Sequence, residues 1–150
     1  GRYLPASTDQ ILAAARQAID HKMQRGASFT APATVKDYLR TKLAGFEHEV
    51  FAVLFLDSQH RLIEYVEMFH GTIDSASVHP REVVKEALRC NAAAVIFSHN
   101  HPSGNPEPSQ ADRQITQRLK DALALVDVRT LDHIVVGGES TESFAERGLL

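Results

Sequence analysis

Asn91-Ala-Ala-Ala-Val-Ile-Phe-Ser-His-Asn-His-Pro-Ser-Gly-Asn-Pro-Glu-Pro-Ser-Gln-Ala-Asp112 decides how this chain of 150 residues is read. The apolar run 91–97 is a buried strand ending at Ser98, and residues two apart in an extended chain point the same way, so His99 and His101 face one point together. From Ser109 the pattern turns helical, with Ile115, Leu119, Ala122 and Leu123 at helical spacing, which puts Asp112 in the first turn of a helix folding back beside the histidines. Pro102, Pro106 and Pro108 restrict the backbone in between and pre-shape the loop. Two imidazoles and a carboxylate form a three-ligand set for zinc, and a three-ligand zinc keeps a fourth position for water. Closed structural zinc sites are usually built from cysteine, and the single Cys90 lies away from this pattern. The same residues also allow a plainer reading. Ser109-Gln-Ala-Asp112 is a helix start signal in its own right, and lone histidines in loops often hydrogen-bond only to backbone. The two uses of Ser109 are compatible.

Working outward, Ser7-Thr-Asp-Gln10 resembles a capping box in front of Ile11, Leu12, Ala15, Ala18, Ile19 and Met23, an amphipathic helix ending near Gly26. A polar link over 27–32 leads to a second helix that Thr34 caps, with Val35, Tyr38, Leu39 and Leu43 on one face. Runs 49–56 and 61–69 read as strands joined by the turn residues Asp57-Ser-Gln-His60, an antiparallel pair. Pro80 opens a helix running to Cys90, with Val83, Val84, Ala87 and Leu88 inward. Segments 128–131 and 133–136 read as further strand, closed by Gly137-Gly138. Helices on both faces of a mixed sheet follow, an α/β class.

Composition narrows the function. The net charge of −3 and pI near 6.2 provide no general attraction to nucleic-acid phosphates. Arg81, Lys85 and Arg89 recur on one helix face, which is how a solvated face looks. One cysteine rules out a disulfide within the chain, and no apolar run approaches the ~20 residues that span a bilayer, so the cytoplasm is the expected location. Cys90 reads as a half-buried structural thiol. His133 reads either as a contact behind a metal ligand or as a satisfied core histidine. His21, His48, His60, His70 and His79 fall at element edges and need no function.

His99-x-His101-x7-Ser109-x-x-Asp112 resembles the JAMM motif of the JAB/MPN metallopeptidases. The stretch Ala94-Val-Ile-Phe-Ser-His-Asn-His-Pro-Ser-Gly104, with Gly71-Thr-Ile-Asp-Ser75, Pro80-Arg-Glu-Val-Val-Lys85 and Ser143-Phe-Ala-Glu-Arg-Gly148, is similar to the RadC-like bacterial branch. The resemblance implies an α/β/α sandwich like that of cytidine deaminases, with residues 31–150 as the domain and 1–30 as an N-terminal helical extension. The helix-hairpin-helix module of longer members has no counterpart in this sequence. The resemblance further implies zinc on His99, His101 and Asp112, and a glutamate on an earlier strand that accepts a proton from water. Glu47 and Glu49 lie on the same side of a strand start, so alternation alone leaves both open; the family register selects Glu49. Ser109 is implied as the donor that stabilises the developing oxyanion. The expected activity is zinc-dependent hydrolysis of a peptide or isopeptide bond in a protein substrate. The alternative is a DNA repair-associated binding module with little peptidase activity. A nuclease is weakened, because phosphodiester cleavage commonly uses carboxylate-rich two-metal sites. Substrate and oligomeric state stay open.

Overall fold

The structure, a computed structural model, describes residues 4–22, 26, 28, 29, 31–73 and 77–150. Met23 of the first helix, Ala27 and Thr30 of the link, and Asp74 and Ser75 of the 71–75 block lie outside the described residues. The elements run α1 (Thr8–Lys22), α2 (Pro32–Leu43), β1 (Val50–Leu56), β2 (Leu62–His70), α3 (Pro80–Arg89), β3 (Ala94–Asn100), α4 (Gln110–Ala124), β4 (Arg129–Gly137) and β5 (Ser140–Ser143). The strands form a sheet in the order β2-β1-β3-β4-β5, with β3 and β4 parallel and the other neighbours antiparallel.

Strands β1 and β3 are buried along their whole length, which is why their sequences are apolar at every position instead of alternating. On one side Val35, Tyr38, Leu39 and Leu43 of α2 pack on Val50, Leu54, Leu56, Ala94 and Ile96. On the other, Val83 and Ala87 of α3 and Ile115, Leu119 and Leu123 of α4 pack on Phe51, Val53, Phe55, Val95 and Phe97. Two helical layers therefore enclose a mixed sheet, the α/β/α sandwich that the resemblance implies. Alternation then assigns sides at the end of β3. His99 continues the row of Val95 and Phe97 toward α4, whereas Asn100 points toward the α2 side.

Several local expectations are corrected. Helix α2 starts at Pro32 with Ala31 as its cap residue and no side-chain cap bond, so proline at the first helical position replaces the role assigned to Thr34. Leu88 was expected inward on α3 but is 57% exposed, because Val83 and Ala87 already fill that narrow contact stripe. Segments 128–131 and 133–136 are one strand, β4, and the polar edge strand β5 was not anticipated. Ser7 and Gln10 do form their reciprocal cap bonds, yet α1 buries none of its residues. Among the described residues no helix is long and apolar enough to cross a membrane.

Candidate metal centre

The central parallel pair and α4 build the site. As β3 ends, His101 leaves β1 and donates its backbone N–H to the Val136 carbonyl at 2.8 Å, so the ligand loop is handed to β4. Gly137 makes this possible: a Cβ there would lie 2.5 Å from the Pro106 nitrogen and 2.7 Å from the Asn105 carbonyl carbon, so only glycine lets the loop cross the strand end. Arg147, beyond β5, grips the same loop through two bonds to the Glu107 carboxylate at 2.7 and 2.9 Å.

The loop delivers its residues to one point. His99 Nε2 lies 3.0 Å from His101 Nε2 and 3.1 Å from Asp112 Oδ1, and His101 Nε2 lies 3.1 Å from Asp112 Oδ2. One ligand atom from each of the three residues falls within 4.8 Å of the others. His99 and Asp112 are buried and His101 is half-buried, so the cluster has a dry floor and one open side. His101 Nδ1 donates to the Asn105 carbonyl at 2.8 Å, which orients the ring with Nε2 aimed at the cluster. Two nitrogens and a carboxylate with an open side suit a borderline cation such as zinc, so the residues present fit the implied metal.

Electrostatics agree with that arrangement. Burial acts to raise the Asp112 pKa, but hydrogen bonds with His101 and His99 and the Ser109 N–H outweigh it and hold the carboxyl far below the usual range. His101 is held above its ordinary value, first by its bond to Asp112 and then, against burial, by the Asn105 carbonyl and the charges of Asp112 and Glu49. Ser109 forms the capping box with Asp112: its hydroxyl accepts from the Asp112 N–H at 3.0 Å and its own N–H donates to Asp112 Oδ2 at 2.8 Å. The hydroxyl proton stays free to donate elsewhere. The helix cap and the ligand readings of this tetrapeptide therefore coexist.

Glu49 sits beside the cluster. In the β1–β3 ladder Phe51 faces His99 as the last pair, Glu49 lies two residues before Phe51, and its charge acts on His101. The segment after β2 holds Glu49 in place, with Gly71 N–H donating to its carbonyl at 2.9 Å and Ile73 N–H to its carboxylate at 2.6 Å. Glu47, Glu49, Gly71, Thr72 and Pro102 line one cleft of about 320 Å³. Glu47 also reaches a second cleft of about 530 Å³, floored by Leu43, Phe46 and Val136 and bordered by His101.

Two residues at the site escaped the sequence reading. Asn100 accepts from the Val50 N–H at 2.7 Å and donates to the His48 carbonyl at 3.0 Å, so its amide straddles the backbone of Glu49. The only signal was its position between the ligands, pointing the other way. Thr116, one turn after Asp112, bonds His133 at 2.5 Å, and His133 in turn lies 2.7 Å from His99 Nδ1. His133 is thus both buried and in direct contact with His99, a member of the cluster. Cys90 is half-buried, and burial raises its thiol pKa, as a structural thiol requires.

A sequence profile of the RadC-like JAB domain matches residues 29–149. A UPF0758 protein of Vibrio cholerae is 65% identical over 141 residues, covering 94% of this chain and 89% of that one. A second from the same organism is 61% identical over 142 residues, covering 95% and 90%. A UPF0758 protein of Leptothrix cholodnii is 60% identical over 140 residues, which are 93% of this chain but 63% of that longer protein. With a profile match over most of its length and relatives this similar, the chain belongs to the RadC-like JAB domain family.

Proposed function

We propose that the chain is a zinc-dependent hydrolase of peptide or isopeptide bonds, with His99, His101 and Asp112 holding the metal. The observation that carries the reading is the convergence of two imidazole nitrogens and a carboxylate on one point with an open side. When bound, zinc supplies Lewis acidity, polarising a carbonyl and lowering the pKa of a coordinated water from ~16 toward ~7. The rest falls to the chain. Glu49, oriented by the Ile73 N–H, accepts the proton of the attacking water and returns it to the leaving amine. The Ser109 hydroxyl, whose proton the helix cap does not use, donates to the carbonyl oxygen as charge builds there. The two clefts beside His101 and Glu49 give an extended substrate room on either side of the scissile bond.

A DNA-binding module has less behind it. On α3, Lys85 pairs with Glu82, and Arg89 pairs with both Glu86 and Glu64, so two of the three basic side chains on that face are already matched by carboxylates. Elemental analysis and a peptide-library cleavage assay with and without chelator test the proposal. Equal zinc in wild type and in a His99→Ala, His101→Ala double variant would remove it. Submicromolar duplex binding at physiological salt, lost on neutralising Arg81, Lys85 and Arg89, would replace it with the DNA reading.

A further inference from the structure

We infer that His133 is a positioning residue of the metal centre: held in a hydrogen-bonded row with Thr116 and the Asp112 carbonyl, it engages His99 Nδ1 and so keeps the opposite nitrogen, Nε2, turned into the cluster. The inference rests on reading His99, His101 and Asp112 as a cation site. It concerns how that site is prepared before any cation arrives.

Thr116 Oγ1 lies 2.7 Å from the Asp112 carbonyl and 2.5 Å from His133 Nδ1, and His133 Nε2 lies 2.7 Å from His99 Nδ1, so the three residues form one hydrogen-bonded row. A hydroxyl and an imidazole each donate or accept, so the row can run in either direction. A cation on His99 Nε2 selects one of them: the His99 proton must then lie on Nδ1 and be donated to His133 Nε2, His133 Nδ1–H donates to Thr116 Oγ1, and the Thr116 hydroxyl donates to the Asp112 carbonyl. His133 is 1% exposed, and in either direction its contact with Nδ1 holds the His99 ring with Nε2 facing His101 Nε2 and Asp112 Oδ1.

The row has a fixed anchor and a held ring. Asp112 and Thr116 are four residues apart on α4, so one helix face supplies both a ligand and the start of the row. The His133 ring stacks on Phe144 at 4.7 Å and 18°, and its backbone is pinned by the Asp132 carboxylate at 2.7 Å and by the Phe144 N–H at 3.0 Å. Ligating histidines are ordinarily steered by a carboxylate, carbonyl or water. A neutral histidine takes that place here, and it steers without adding negative charge behind the ligand.

Long-range proton–nitrogen NMR on the histidine-labelled full chain reads the tautomers directly, first in metal-free protein and then after zinc addition. The expected result is a proton shared between His133 Nε2 and His99 Nδ1 in the metal-free protein, and a proton on Nδ1 of both rings after zinc addition; no shared proton, or a proton on Nε2 of His133 in the zinc-loaded protein, overturns the inference. Zinc affinity, measured by competition with a chromophoric chelator, gives the second arm. His133→Phe should weaken zinc roughly 10–100-fold, while His133→Gln, whose amide oxygen can still accept from His99, should recover most of the loss. Thr116→Val preserves shape and should weaken zinc by a smaller factor. Phe144→Leu alters packing on the same ring without touching the row and should leave affinity near wild type. Wild-type affinity in His133→Phe, or a loss in Phe144→Leu equal to that in His133→Phe, would reduce His133 to a packing residue. If wild type itself takes up no zinc, the cation-site reading fails, and the metal-free spectra still decide whether a proton is shared between His133 Nε2 and His99 Nδ1.

Discussion

The described residues contain the same kind of short helix start twice, and only one copy adjoins the histidine cluster. Ser7 and Gln10 exchange side-chain and backbone hydrogen bonds at the head of α1, and Ser109 and Asp112 do the same at the head of α4. Helix α1 buries no residue and Ile11 on its surface is 58% exposed, whereas α4 buries Ile115, Thr116, Leu119 and Leu123 behind its cap. Gln10 finishes its work with the Ser7 N–H. Asp112 has a carboxylate to spare, and both of its oxygens face histidine nitrogens across from β3. A cap becomes a candidate site when the packing behind it brings a second set of partners to the same atoms.

The comparison breaks most sharply at Asp112. Asp112→Asn keeps a cap acceptor and removes the charge, so zinc affinity measured by chelator competition should fall at least 100-fold while circular dichroism stays native; Gln10→Ala should change neither. Next, Glu49→Gln keeps shape but cannot take a proton, so zinc content should be unchanged and hydrolysis should drop by about 10²–10⁴ once a cleaved peptide is in hand. Glu47→Gln should be nearly silent, and the reverse outcome would make Glu47 the base. Gly137→Ala pushes a methyl into the backbone of the ligand loop. A loss of about 1–3 kcal/mol in urea unfolding, with weaker zinc binding, is the expected result. The smallest effect separates the caps themselves. Ser109→Ala should cost about 1 kcal/mol in global unfolding because α4 is part of the core, while Ser7→Ala should fray α1, seen by hydrogen exchange, and leave the global midpoint in place.

The contrast also explains what the sequence could say. Helix α4 and strands β1 and β3 are legible because burial on one face or both forces a period onto their residues, and the ligands follow because β3 carries the alternation past its own end. Zinc ligation by those residues remains a proposal. Their grouping does not, because the structure brings the three together. The choice between Glu47 and Glu49 was illegible from alternation, since both share one parity, and Glu49 as the base remains a proposal. Strand β5 hid because Ser140-Thr-Glu-Ser143 has no apolar signal; its pairing with β4 makes it a strand. The role of His133 hid for a similar reason. One histidine at a strand start looks the same whatever its neighbour, and only the fold brings its ring to within 2.7 Å of His99.

The grip of Arg147 on Glu107 and the reach of His133 to His99 give the chain a timetable. Synthesis runs from the N-terminus, so His99, His101 and Asp112 emerge while the residues that steer and fasten them are still unmade. His133 follows His99 by 34 positions, and Arg147 follows Glu107 by 40. Until then the ligand loop has neither β4 to lie on nor a partner for Glu107, and any ion met by the nascent histidines finds flexible chain instead of a shaped cup. On the proposed zinc reading, metal selection is thereby postponed to the finished fold, where geometry and not first encounter decides what stays.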